Sequence, residues 1–140
     1  MANGRHLIID AEVKDSKVFS HENLEKMFKT LVKNLDMQIL HGPIFKDVEF
    51  DPSKLTGDAF QDEGGTTGIV VIKCSHIAIH TWGLRNFFSM DVYSCKDFDT
   101  SIALTTINKF MKIKKISLTN VLRRGANQTA VISEISTKSL

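Results

Sequence analysis

Residues 68–94 constrain the fold more than any other stretch. They hold three runs, Gly68–Lys73, His76–Trp82 and Phe87–Ser94, rich in β-branched and aromatic residues and separated by turn-length connections. Such runs read as strands, and Gly83-Leu84-Arg85-Asn86 between the last two reads as a hairpin connection. Strands this close in sequence generally pair with their neighbours, so the middle of the chain predicts an antiparallel sheet.

The flanks supply the helices. Ser20 is a good N-cap, and after it Leu24, Met27, Phe28, Leu31, Val32 and Leu35 recur at helical spacing. Ile102, Leu104, Ile107, Phe110 and Met111 mark a second amphipathic helix, capped near Thr100 or Ser101. His6–Ile9 reads as a first strand and Ile116–Leu122 as a last one, with two extended segments, Gln38–Leu40 and Ile44–Phe50, separated by Gly42-Pro43. Strand–helix, then strands, then helix–strand implies an α+β two-layer sandwich, an antiparallel sheet with helices on one face. Residues 1–125 form a single domain in this reading, and 126–140 are a C-terminal tail or an added edge strand. Residues 51–67 hold Pro52, Gly57, Gly64, Gly65 and several acidic side chains. They make the longest loop, and long loops in compact domains are often functional.

Composition narrows the class of function. The chain is 42% hydrophobic and 24% charged, with a formal net charge of +2, which fits a soluble globular domain and gives no reason to expect nucleic acid or a membrane as partner. No apolar run reaches the ~20 residues of a membrane span. The N-terminus lacks the apolar stretch of a signal peptide, and two cysteines in such a chain read as free thiols, so the cytoplasm is the expected compartment. A chain of 140 residues buries a modest core, which favours oligomers.

The chemistry concentrates in Lys73-Cys74-Ser75-His76-Ile77-Ala78-Ile79-His80-Thr81-Trp82 and in Met90-Asp91-Val92-Tyr93-Ser94-Cys95. A hydroxyl, an imidazole and a thiol stand here at fixed spacing. The ordinary readings are a structural Ser-His pair and buried thiols packed as small hydrophobes. His76 and His80 with the two cysteines also raise a zinc site, but no metal-binding signature accompanies them, so no metal is expected.

The whole string resembles the small prokaryotic S-adenosylmethionine decarboxylases, supported more weakly by Gly4-Arg5-His6 before the first strand and Arg124-Gly125 after the last. The resemblance implies cleavage between Cys74 and Ser75. The Ser75 hydroxyl attacks the Cys74 carbonyl, and the resulting ester breaks by β-elimination. Position 75 then becomes a pyruvoyl group, the self-derived cofactor, which acts as the electron sink for decarboxylation. His80 matches the family's processing histidine, a base suited to neutral pH. Thr67 stands at the helper serine and Cys95 at the general-acid cysteine; Asp91 also matches, in a structural role. The implied substrate is S-adenosylmethionine, for spermidine synthesis, in a homodimer with active sites near the subunit interface.

Two features strain this reading. In a regular strand Ser75 shares a face with Ile77, Ile79 and Thr81, whereas His80 shares one with His76 and Trp82. A kink at Cys74-Ser75 is therefore expected to bring Ser75 to His80. Further, the family continues Trp-Pro-Glu where this chain has Trp82-Gly83-Leu84, so the carboxylate expected to grip the ribose is missing. Asp62 or Glu63 from the acidic loop is the candidate replacement, and Phe60 the candidate for stacking on adenine. The alternatives are a pyruvoyl decarboxylase of ornithine or arginine, and a catalytically silent regulatory subunit.

Overall fold

A computed structural model describes residues 4–126 and 128–139; the N-terminal Met1–Asn3, part of the signal-peptide reading, lies outside them. The strands are β1 (Gly4–Val13), β2 (Ile39–Val48), β3 (Gly65–Ile72), β4 (Ser75–Trp82), β5 (Phe87–Ser94), β6 (Ile113–Arg123) and β7 (Val131–Ser139). The α-helices are α1 (His21–Asn34), a single turn α2 (Ala59–Asp62), and α3 (Thr100–Met111). All seven strands join one sheet in the order β2-β3-β4-β5-β1-β6-β7. Every neighbouring pair is antiparallel.

Alternation along the strands decides which face is covered. Leu7, Ile9 and Ala11 of β1, Ile77 and Ile79 of β4, and Phe88, Met90 and Val92 of β5 are buried. They meet Leu24, Met27, Phe28, Leu31 and Val32 of α1 and Ala103, Ile107 and Met111 of α3 in one core. Full burial of a side chain such as Phe28 or Leu31 is worth about 1.5–3 kcal/mol relative to exposure. Ser20 caps α1 by accepting from the Asn23 N–H, and Asp99 caps α3 by accepting from Ser101 and Ile102. The expected two-layer α+β sandwich is therefore the observed one.

The differences lie at the edges. The two extended segments around Gly42-Pro43 are a single edge strand, β2, with register shifts between Ile39 and His41 and between His41 and Ile44. An edge position with a bulge tolerates a residue that has no N–H. The loop after β2 is shorter than its glycines imply, because α2 occupies its middle and β3 already begins at Gly65. Residues 131–139 form β7 on β6, the added edge strand. β3 alternates, with Val70 and Ile72 buried and Ile69 exposed. Gly68 has a packing reason, since a Cβ there would run into the Phe45 ring. That ring lies 5.6 Å from Phe28 and ties β2 to α1.

Candidate active site

The reactive segment is built by two consecutive hairpins. Lys73-Cys74 is a two-residue turn between β3 and β4, pairing Ile72 with Ser75 and Thr67 with His80. The Gly83–Asn86 connection carries a short 3-10 turn ended by Asn86 in the left-handed region, and pairs Trp82 with Phe87 and Ser75 with Ser94.

At the turn end stand Ser75, Cys74 and Cys95. Ser75 has φ 142°, a conformation L side chains rarely adopt, so the expected kink is present at the bond that would break. The Cys95 backbone N–H donates to the Cys74 carbonyl at 2.8 Å. Cys95 is exposed and Cys74 half-buried, both as free thiols. The segment after Cys95 is fixed by Arg5, whose guanidinium donates to Asp97 at 2.6 Å and to Asn120 at 3.0 Å.

At the other end of β4 stand Thr67 and His80, whose Oγ1 and Nδ1 are 3.2 Å apart. Both are exposed. A shallow cavity of about 160 Å³ opens beside them, lined by Phe60, Gly65, Thr67, His80 and Trp82 among others. Gly65 brings the acidic loop down onto β4: it sits at φ 151° with the Thr81 carbonyl so close that no Cβ fits.

The kink does not bring Ser75 to His80. The β4–β5 register is unbroken from Ser75–Ser94 to Trp82–Phe87. Five residues of strand place the two Cα atoms about 17 Å apart. Proton transfer needs about 3 Å. The candidates therefore fall into two separate groups within the chain, Ser75 near Cys95 and Thr67 beside His80. Thr67 and His80 alternate with the buried residues of β3 and β4, so they lie on the sheet face that carries no helix.

The loop candidates separate cleanly. Asp62 accepts from the Thr56 and Gly57 N–H groups at 2.9–3.0 Å, which pulls its carboxyl below the usual range and uses it up within the loop. Glu63 instead meets Arg85 through two hydrogen bonds, 2.8 and 3.2 Å. The Arg85 guanidinium also lies 4.8 Å from the centre of the Phe60 ring. Phe60 touches Trp82 and Phe87 edge-on, and its carbonyl accepts from the Trp82 indole N–H at 2.7 Å. Arg85 is the residue sequence reasoning missed, although it lies in the same turn as the absent carboxylate. A second unforeseen group is Tyr93, whose ring has His6 and His76 each 5.7 Å away and Arg123 at 4.4 Å. His6 also bonds Asp91 at 3.0 Å, so Asp91 has a partner within the sheet. Among the described residues no group of three or more His, Cys, Asp or Glu comes together as a metal set. Nor is any described helix long and apolar enough to cross a membrane.

A family model described as S-adenosylmethionine decarboxylase matches residues 5–124. The chain belongs to the S-adenosylmethionine decarboxylase family. Curated relatives named S-adenosylmethionine decarboxylase proenzyme agree. One from Methanococcus maripaludis is 28% identical over 133 residues, covering 94% of this chain and 97% of its own. Another from Clostridium botulinum is 28% identical over 123 residues, covering 86% and 94%. The crystal structure of the adenosylmethionine decarboxylase from Aquifex aeolicus shares the fold, with a TM-score of 0.68 at 23% identity, covering 91% of this chain and 97% of that one. Within this S-adenosylmethionine decarboxylase family member, the pairings described above place all the sequence candidates on β3–β5 and the adjoining loops.

The Arg5–Asp97 pair gives a pH prediction. The Arg5 hydrogen bond, with a further one from the Phe98 N–H, holds the Asp97 carboxyl below its ordinary value of 3.8. A depressed carboxyl stabilises the fold above the unfolded value, and the contribution disappears as pH falls through the lower folded value. The melting-temperature gap between wild type and Asp97→Asn should therefore close as pH drops below about 4. A gap unchanged at acid pH would count against the pair.

Proposed function

We propose that the chain is a self-processing, pyruvoyl-dependent decarboxylase of S-adenosylmethionine, working as a homodimer in which each active site joins the half-sites of two copies. Its product is the aminopropyl donor for spermidine synthesis. One observation carries the reading: Ser75 and Cys95 stand together, Thr67 and His80 stand together, and one chain keeps the two pairs apart.

Processing begins when the Ser75 Oγ attacks the Cys74 carbonyl carbon. Negative charge develops on the Cys74 carbonyl oxygen, which already accepts from the Cys95 N–H. Collapse moves the acyl group from nitrogen to oxygen. His80 of a second copy then removes the Ser75 Cα proton, with Thr67 of that copy holding the imidazole. Elimination releases Cys74 as a carboxylate. Water then displaces ammonia from residue 75, leaving a ketone.

The residues fit the pyruvoyl group. Its source, Ser75, ends a hairpin turn beside the one exposed thiol among the described residues, and positive φ already sets its peptide apart from a regular ladder. The group supplies the electron sink for loss of the carboxylate. Cys95 keeps its Sγ proton and delivers it to the substrate carbon once the carboxylate has left. Cys95→Ala retains the backbone N–H, so fragments 1–74 and 75–140 should still form while product formation falls about 10²–10⁴-fold. Equal loss in Cys74→Ala, with stability unchanged in both, would contradict this division.

Phe60, Trp82 and Glu63 line or border the cavity beside His80 and are the substrate-binding candidates. Leu84 is 76% exposed and offers no acceptor, whereas Glu63, fixed against that same turn by Arg85, retains unused lone pairs. Glu63→Ala should raise KM about tenfold, the equivalent of one unmatched buried hydrogen bond of 1–3 kcal/mol, and Leu84→Glu should be harmless. The functional assay is carbon-dioxide release from carboxyl-labelled S-adenosylmethionine, ornithine and arginine in parallel. Release from S-adenosylmethionine alone supports the reading. Release only from ornithine or arginine overturns the substrate, and no release by cleaved protein favours a silent subunit.

A further inference from the structure

We propose that Cys74 and Cys95 form a reversible disulfide, a redox modification site set directly against the reactive serine. The β4–β5 ladder ends at Ser75–Ser94, and Cys74 and Cys95 are the residues that flank this last pair on the turn side. The Cys95 N–H donates to the Cys74 carbonyl at 2.8 Å. A single N–H···O=C bond of this length between two residues holds their Cα atoms within roughly 5–6.5 Å of each other. That separation lies inside the range a disulfide bridges, about 4.4–6.8 Å. Cys95 is exposed and Cys74 half-buried, so a small reagent reaches the pair.

The oxidant is a low-molecular-weight disulfide. The Cys95 thiolate attacks one of its sulfurs, forming a mixed disulfide and expelling the first thiolate. The Cys74 thiolate attacks the Cys95 sulfur, closing the Cys74–Cys95 bond and expelling the second. The two cysteine sulfurs lose two electrons, the reagent disulfide gains them, and the two thiol protons pass to the released thiolates. A thiol reductant reverses both steps. The functional consequence rests on the proposed role of Cys95: the bond removes the proton it delivers. After cleavage Cys74 ends one fragment and Cys95 lies in the other, so the same bond ties the two fragments together.

The test treats the native full-length protein with oxidised glutathione, quenches with acid, alkylates with iodoacetamide under denaturing conditions and maps the peptides. The expected result is a mass lower by two hydrogen atoms, neither cysteine alkylated, and a linked peptide containing both. Processed protein should run as one species without reductant and as two with it. Decarboxylation should fall to background on oxidation and return with dithiothreitol, while Cys74→Ser, in which no second thiol resolves the mixed disulfide, should retain one glutathione on Cys95. Two alkylatable thiols, or one glutathione on each cysteine, would overturn the proposal. The wild-type peptide map decides even where Cys74→Ser does not fold. Because the map needs neither cleavage nor activity, a failed decarboxylation assay and a failed disulfide are read separately.

Discussion

Ser75→Ala is expected to leave the chain whole. Denaturing mass analysis of the wild type should give a fragment of residues 1–74 and a fragment of 75–140 blocked at its N-terminus. The alanine variant should give only the full-length mass, however long it is incubated. No neighbouring group substitutes for the missing hydroxyl. Ser94 lies across the ladder from Ser75 and is fully buried on the helix-covered face, where its Oγ accepts from the Lys96 N–H. Cys74 lies on the other side of the bond. Decarboxylation should fall on the order of 10⁴-fold or more, the scale seen when a nucleophile without a substitute is removed. The fold should survive, since Ser75 is only half-buried. Fragments from a folded Ser75→Ala protein would place the scissile bond elsewhere.

Much of the fold is legible in the sequence. Helix α1 announced itself through Ser20 and the Leu24–Leu35 spacing because a one-sided apolar stripe has a period that loops do not imitate. The strands of 68–94 were equally clear. The contents of residues 51–64 were not, because α2 is a single turn, held by Asp62 accepting from Thr56 and Gly57, and no periodicity reports on so short an element. The sequence divides β2 at Gly42-Pro43 because a proline ordinarily interrupts a ladder, and its edge position is a property of the whole sheet rather than of the local sequence.

The site shows the same division. Counting outward from the two turns pairs 72 with 75 and 82 with 87. The same counting pairs Thr67 with His80 and Cys74 with Cys95. The two half-sites were thus implicit in the spacing. The expectation that a kink would unite Ser75 with His80 failed on a length: a kink at one end of a strand cannot shorten the strand beyond it. Arg85 was not legible, because its partner Glu63 comes from a loop whose path depends on Gly65 crossing the Thr81 carbonyl. The open sheet face follows from the αβ order alone, yet nothing local in the sequence says what covers it.

The central claim, that one complete site needs two copies, has a direct measurement. Ser75→Ala lacks the nucleophile but keeps His80. His80→Ala keeps Ser75 but lacks the base, so its elimination should slow about 10²–10⁴-fold. Prepared alone, each variant should stay essentially uncleaved over the time in which the wild type is processed. The two are then co-expressed with tags of different mass, so that mixed dimers assemble as they are synthesised. In a mixed dimer the Ser75 of the His80→Ala chain meets the His80 of the Ser75→Ala chain, whereas the other site lacks both groups. The account predicts that fragments 1–74 and 75–140 appear at near wild-type rate and carry only the tag of the His80→Ala chain. Mixed dimers that form but leave both chains uncleaved, while wild type is cleaved, would contradict it.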